Sequence, residues 1–265
     1  MTPAAPSIVG RSAELRAVGD ALDAVEAGTF AAVAVEGEPG IGKTRLLDEL
    51  RAAARSRGQV VLDGAGAEFE RDAPFGVVVD ALDGFLADTD GDLSRALEPD
   101  ALDELERIFP ALRSPGAAPT AAVGDERYRV HRAVRLLLER LAATRPLVIV
   151  LDDVHWADDA SLEVIASVLR RPPAARVLLA LAFRSGEASR RLEVALAAAG
   201  VVRLGLRPLS EPESHRLLGD RVAGPARDAL YREAGGNPFY LEQLARSAGG
   251  GAEHAGDGDA AGGGA

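Results

Sequence analysis

A buried strand that runs straight into a glycine-rich turn and then a helix leaves few folds open, and this chain has one at Val33–Leu50, "VAVEGEPGIGKTRLLDEL". Gly37, Gly42, Lys43 and Thr44 fit G-x-x-x-x-G-K-[ST] after a predicted strand, Phe30–Glu36, and before a predicted helix, Arg45–Arg57. Each residue type has a task in that pattern. Glycines let the backbone wrap a phosphate with its N–H groups turned inward. The helix start adds a positive dipole end. A threonine hydroxyl can hold Mg²⁺. Lys43 is the only lysine of the chain, every other basic residue being arginine. A compact ammonium threads into such a loop where a planar guanidinium fits poorly. The chemistry therefore explains the one exception to the arginine bias.

Strand and helix signals alternate along the rest. Helices are expected at Ala13–Ala27, Phe75–Ala87, Asp100–Ile108, Asp125–Ala143 and Ser161–Arg170. Strands are expected at Gln59–Gly64, Leu147–Leu151, Arg176–Phe183 and Val201–Leu206. Continuous apolar strands separated by helices indicate an α/β fold, a parallel sheet covered on both faces. From Glu211 onward only helices are expected, with a turn at "GGNP", Gly235–Pro238. Residues 1–12 read as an extended lead-in and Arg113–Gly124 as a mobile Pro/Gly/Ala loop. The domain reading is residues 1–209 as a nucleotide-binding domain, 210–248 as a small helical lid and 249–265 as a disordered Gly/Ala-rich tail.

A phosphate loop needs an acid opposite it. "LVIVLDDVHWAD", Leu147–Asp158, supplies one at a strand end. Asp152 is expected to orient Mg²⁺ together with Thr44, largely through water, and Asp153 to polarise an attacking water. Asp158 and Asp159 read as a helix N-cap. Trp156 is expected to pack the loop down, and His155 divides evenly between a phosphate contact and a structural role. Roughly a hundred residues and one further strand separate the two motifs, which predicts five strands in the order 5-1-4-3-2. Arg184, at the end of "RVLLALAFR", then reaches the ligand edge as a candidate sensor.

Bulk properties bound the partners. A net charge of −11 opposes a nucleic-acid-binding surface over the molecule, and no local basic patch stands out. The chain has no cysteine, hence neither disulfides nor thiolate metal sites. Neither a signal peptide nor an apolar run of membrane-spanning length is legible. A cytoplasmic protein without membrane contact is the expectation.

Six motifs occur in order: "IVGRSAEL" (Ile8–Leu15), "GEPGIGKT" (Gly37–Thr44), "LVIVLDDVHWAD", "LLALAFR", "LRPLS" (Leu206–Ser210) and "GGNPFYLEQL" (Gly235–Leu244). Together they resemble the Orc1-like AAA ATPase domain of the signal-transduction (STAND) NTPases, above all that of the large ATP-binding LuxR-type transcriptional regulators. The resemblance spans Ile8 to about Ser247. It implies ATP/ADP and Mg²⁺ as ligands, with Gly37, Glu38, Pro39, Gly40, Ile41, Gly42, Lys43, Thr44 and Arg45 on the phosphates. It places Val9, Gly10 and Arg11 against the adenine, Pro208 on the base's other side, and Arg184 as sensor beside the catalytic Lys43 and Asp153. It implies a switch with slow hydrolysis, and self-association or a partner protein. The DNA-reading helix-turn-helix of the regulators has no counterpart in these residues, so no nucleic-acid binding by this chain is expected. A truncated, non-enzymatic nucleotide-binding or partner-interaction module is the alternative, and an origin-loading type of ATPase a third reading.

Overall fold

The computed structural model describes residues 8–70, 73–89, 97–113, 126–198 and 200–250. These residues gather into two compact units. The larger comprises Ala13–Gly37 and Lys43–Gly205; the smaller comprises residues 8–12, 38–42 and 206–250.

The larger unit is an open parallel sheet between helices. Its described elements are α1 (Ser12–Glu26), β1 (Ala31–Gly37), α2 (Lys43–Ser56), β2 (Val60–Ala65), α3 (Gly76–Ala87), α4 (Pro99–Ile108), α5 (Glu126–Leu141), β3 (Leu147–Asp152), α6 (Asp159–Arg170), β4 (Val177–Arg184), α7 (Arg190–Ala198) and β5 (Val202–Gly205). The strands lie in the order β2-β3-β4-β1-β5, all parallel, as the sequence predicts.

The strands' chemistry explains that order. β3 is buried at every position and β4 everywhere except Arg184, because both lie inside the sheet with helices over them. Alternate residues face opposite ways along a strand. Ile149, Leu151 and Leu179 accordingly share one small apolar cavity with Val78 of α3, Val134 of α5 and Ile165 of α6. Burying each such side chain contributes about 1.5–3 kcal/mol. β5 is short and largely exposed, as an edge strand is. It is fastened to its neighbours by Arg203, which donates to Glu36 Oε2 and Glu193 Oε2, each at 2.7 Å. Those two carboxylates raise the Arg203 pKa further above its ordinary value.

The acid at a helix start has a wider task than the expected N-cap. Asp158 Oδ1 accepts from Ser161 N at 2.9 Å, capping α6. The same carboxylate also accepts from Phe75 N at 2.9 Å and Gly76 N at 3.0 Å, where α3 begins. Phe75 takes a left-handed φ of 64° to present those donors. One buried carboxylate thus fixes the starts of two helices.

The smaller unit holds α8 (Glu211–Leu218), α9 (Gly224–Ala234) and α10 (Pro238–Gly250) around an apolar cluster of Leu209, Leu218, Val222, Leu230, Ala234 and Leu241. Ser210 and Glu213 close the start of α8 as a capping box: Glu213 Oε2 accepts from Ser210 N at 2.8 Å and from Ser210 Oγ at 2.7 Å. Those bonds hold the Glu213 pKa below its ordinary value. The sequence reading sets the tail from residue 249; α10 runs through Gly250, and 251–265 lie outside the described residues. Residues 1–7 and 114–125, most of the predicted lead-in and of the mobile loop, lie outside them too. No helix among the described residues is long and apolar enough to cross a membrane.

Candidate functional site

The larger unit brings the predicted acid, at the carboxyl end of β3, and the predicted lysine, which follows β1, to the same end of the sheet, with β4 between the two strands. β1 ends at Gly37, paired in register with Arg184 at the end of β4. Lys43 opens α2, and its Nζ donates to Gly37 O at 2.9 Å. The ammonium is buried. A strand-end carbonyl thus accepts from one of the three donors of the ammonium.

Thr44 Oγ1 donates to Asp152 Oδ2 at 2.7 Å. Asp152 is buried, and its other oxygen accepts from Asp153 N at 2.9 Å. A hydroxyl and a carboxylate oxygen in direct contact form a hard-oxygen pair that suits Mg²⁺, an ion that keeps several waters and takes one or two protein ligands. The structure brings the two residues of the predicted pair together.

Asp153 takes a left-handed φ of 48° at the start of the single turn Val154–Trp156. Aspartate tolerates that region better than most side chains. The conformation leaves its carboxylate half-exposed, at 46%. Gly66, absent from the sequence reading, packs beneath this turn. A Cβ there would stand 2.4 Å from Asp153 O, so only glycine lets the β2 segment come so close.

His155 and Trp156 find their surroundings in the same unit. The His155 side chain is fully buried, with Nδ1 3.8 Å from Asp153 Oδ1 and Nε2 3.7 Å from Glu187 Oε2. Burial, foremost, holds its pKa below the ordinary histidine value; Arg184 and Lys43 act in the same direction against Asp153 and Glu187. Arg184 lies 5.4 Å from the Trp156 ring centroid and 3.6 Å from Glu187 Oε1. The predicted sensor arginine is thus held by the Trp156 face and by Glu187, a carboxylate that sequence reasoning did not single out.

The smaller unit contains the centre of the glycine-rich loop. Three consecutive loop carbonyls accept hydrogen bonds there. Asn237 Nδ2 donates to Pro39 O at 3.0 Å, Phe239 N to Gly40 O at 3.3 Å, and Arg11 Nη2 to Ile41 O at 3.1 Å. Arg11, buried, also donates to Arg207 O at 2.8 Å. Gly40 has φ +72°, and a Cβ on it would stand 2.7 Å from Phe239 Cβ. The Asn237-Pro238 turn supplies these contacts, with Asn237 Oδ1 accepting from Phe239 N at 3.1 Å. The predicted adenine residues Gly10 and Arg11 also lie in this unit: Gly10, at φ +71°, stands against Leu209 and Glu213. Arg45, in the first turn of α2, pairs with Glu49 at 2.8 Å.

A family model described as AAA ATPase domain matches residues 7–180. An uncharacterized protein of Rhizobium meliloti (strain 1021) is 28% identical over 267 residues, covering 89% of this chain; the chain spans only 24% of that relative. Among solved structures, the chain is similar to the Aeropyrum pernix ORC1 protein in complex with DNA, with a TM-score of 0.57, 19% identity, and coverage of 95% of this chain and 62% of that one. It is also similar to Drosophila ORC bound to DNA, with a TM-score of 0.55, 14% identity, and coverage of 96% and 59%. A Walker-type ATPase of Pyrococcus abyssi gives 0.52, 14%, 95% and 69%. At such identities the likeness is one of fold.

Proposed function

This chain belongs to the AAA ATPase domain family, and from that premise we propose that it is an ATP-binding switch with slow Mg²⁺-dependent hydrolysis. The observation that carries the reading is the pair of contacts at the strand ends: Lys43 Nζ on Gly37 O, and Thr44 Oγ1 on Asp152 Oδ2.

In this reading, residues 37–45 cradle the phosphates with backbone N–H groups, their helix start and the Lys43 ammonium. Thr44 and Asp152 hold Mg²⁺, which when bound neutralises phosphate charge. Asp153, with its half-exposed carboxylate, orients the attacking water and accepts its proton. Arg184 answers the terminal phosphate. Val9, Gly10, Arg11 and Pro208 receive the base. Residues 210–248 act as a lid whose grip on loop carbonyls 39 and 40 supports a switch role. The order of the six motifs supports placing the switch with those of the LuxR-type STAND regulators, in signal transduction and transcriptional control.

The test is nucleotide release and turnover. The purified chain is denatured and its nucleotide identified by ion-exchange chromatography; ATP hydrolysis is then compared with Lys43→Ala and Asp153→Asn. Bound ADP and slow turnover are expected, with tight binding abolished by Lys43→Ala. Asp153→Asn should still bind but turn over about 10²-fold more slowly or worse. Equal hydrolysis by wild type and Lys43→Ala would overturn the enzymatic reading.

A further inference from the structure

Read linearly, the sequence shows no basic patch; the fold assembles one. α5 and α6 pack side by side, and the surface where they meet opens into a cavity of about 360 Å³ lined by Tyr128, His131, Ser167, Arg170 and Arg171. An adjoining hollow of about 100 Å³ extends it past Arg132 and Arg135. The two halves of the cluster are some forty residues apart in sequence, which hides it.

The charges on its walls are unequally matched. Arg127 donates to Glu163 at 3.0 Å, Arg132 to Glu98 at 3.1 Å and Arg135 to Glu139 at 3.0 Å. Among the described residues, Arg170 and Arg171 have no carboxylate within ion-pair reach. Arg171 instead lies over the Tyr128 ring, 5.8 Å from its centroid. A cation in the last turn of α6 offsets the helix dipole. That accounts for one arginine and leaves the second, together with the cavity, unexplained. His131 reports the same field. Burial, foremost, lowers its pKa, and Arg170 and Arg127 add to that against Glu163.

We propose that this cavity binds a phosphorylated small molecule, its phosphate gripped by Arg170 and Arg171 with Ser167 and His131 beside them. Guanidinium forks match phosphate oxygens two at a time, and adjacent forks suit a group with three such oxygens. The volume sits at the lower end of small-molecule sites. The exposed Tyr128 ring offers the rest of the ligand a flat apolar face. Arginines concentrated here stand out in a chain with net charge −11. The site is distinct from the glycine-rich loop, since every wall residue comes from α5, α6 or the residue that follows α6.

The chain's histidines allow a direct test, because His131 lines the cavity while His155 stands beside Asp153. Imidazole NMR resonances of the full chain are followed during titration with pyrophosphate. The expected result is a saturable shift of the His131 resonance that Lys43→Ala leaves unchanged. Arg170→Gln with Arg171→Gln, both exposed positions, should weaken it about tenfold or more. A stationary His131, a shift confined to His155, or a His131 shift that survives the double substitution would overturn the proposal. So would a response to a glutamate-rich peptide with none to pyrophosphate, which would assign the face to a protein partner.

Discussion

Thr44 and Asp152 stand 108 residues apart in sequence and share one hydrogen bond, Oγ1 to Oδ2 at 2.7 Å. Both partners are drawn from the ends of elements that meet at one edge of the sheet. In the proposed reading, that contact is the Mg²⁺ position. Asp152→Asn should leave metal-free ADP affinity nearly intact and remove most of the gain that Mg²⁺ gives, about tenfold or more. Calorimetric titration with ADP, with Mg²⁺ and with EDTA, measures it. A variant that keeps the full Mg²⁺ gain would move the metal elsewhere.

Asn237 makes two contacts at once, donating to Pro39 O and accepting from Phe239 N. Asn237→Ala removes both. Hydrogen exchange at residues 38–42 should accelerate, since a net hydrogen bond is worth about 0.5–1.5 kcal/mol. ADP affinity should fall about threefold to tenfold in parallel. Unchanged exchange in the loop would mean that these bonds do not order it.

Asp158 accepts from three backbone N–H groups while buried. Asp158→Ala strands them all. The expected loss is about 2–4 kcal/mol in urea unfolding, more than a simple N-cap would give. A loss below about 1 kcal/mol would show that the α3 contacts contribute nothing beyond the cap.

His155 sets a pH dependence whose sign follows from its lowered pKa. The unfolded chain takes up a proton near the ordinary value of about 6.5, whereas the folded chain resists until lower pH. Stability attributable to this group is therefore constant above about pH 7 and declines as pH falls through the unfolded pKa toward the folded one. The slope cannot exceed about 1.4 kcal/mol per pH unit for one proton. His155→Gln should flatten the decline between about pH 7 and 5, read from denaturant midpoints at several pH values. An unaltered slope would assign it to other groups.

Local signals carried the sheet. The apolar runs of β1, β3 and β4, the loop at residues 37–44 and the Asp152-Asp153 pair are each written in a few consecutive residues; the six helices α1 to α6 ended within two residues of their predicted places, whereas α7 was not foreseen. What stayed hidden depends on contacts across long sequence separations. Nothing near Asp158 announces that it will also cap the helix at Gly76. Nothing near Pro39 announces Asn237, although an Asn-Pro pair after two glycines marks a turn with a free side-chain amide. Gly66 reads as an ordinary loop glycine until the Asp153 carbonyl is placed beside it. Arg184 was legible as a strand-end cation, but its seat on Trp156 was not.

The hold on carbonyls 39–41 has a mechanical consequence. Asn237 and Phe239, which hold carbonyls 39 and 40 while Arg11 holds 41, stand at the start of α10, which runs to Gly250. Tension applied beyond that helix would be delivered to the loop through a very short linkage, with no compliant segment of more than a turn in between. The loop and the start of α10 thus form one mechanical piece, and a shift of that helix start would reach the loop backbone directly.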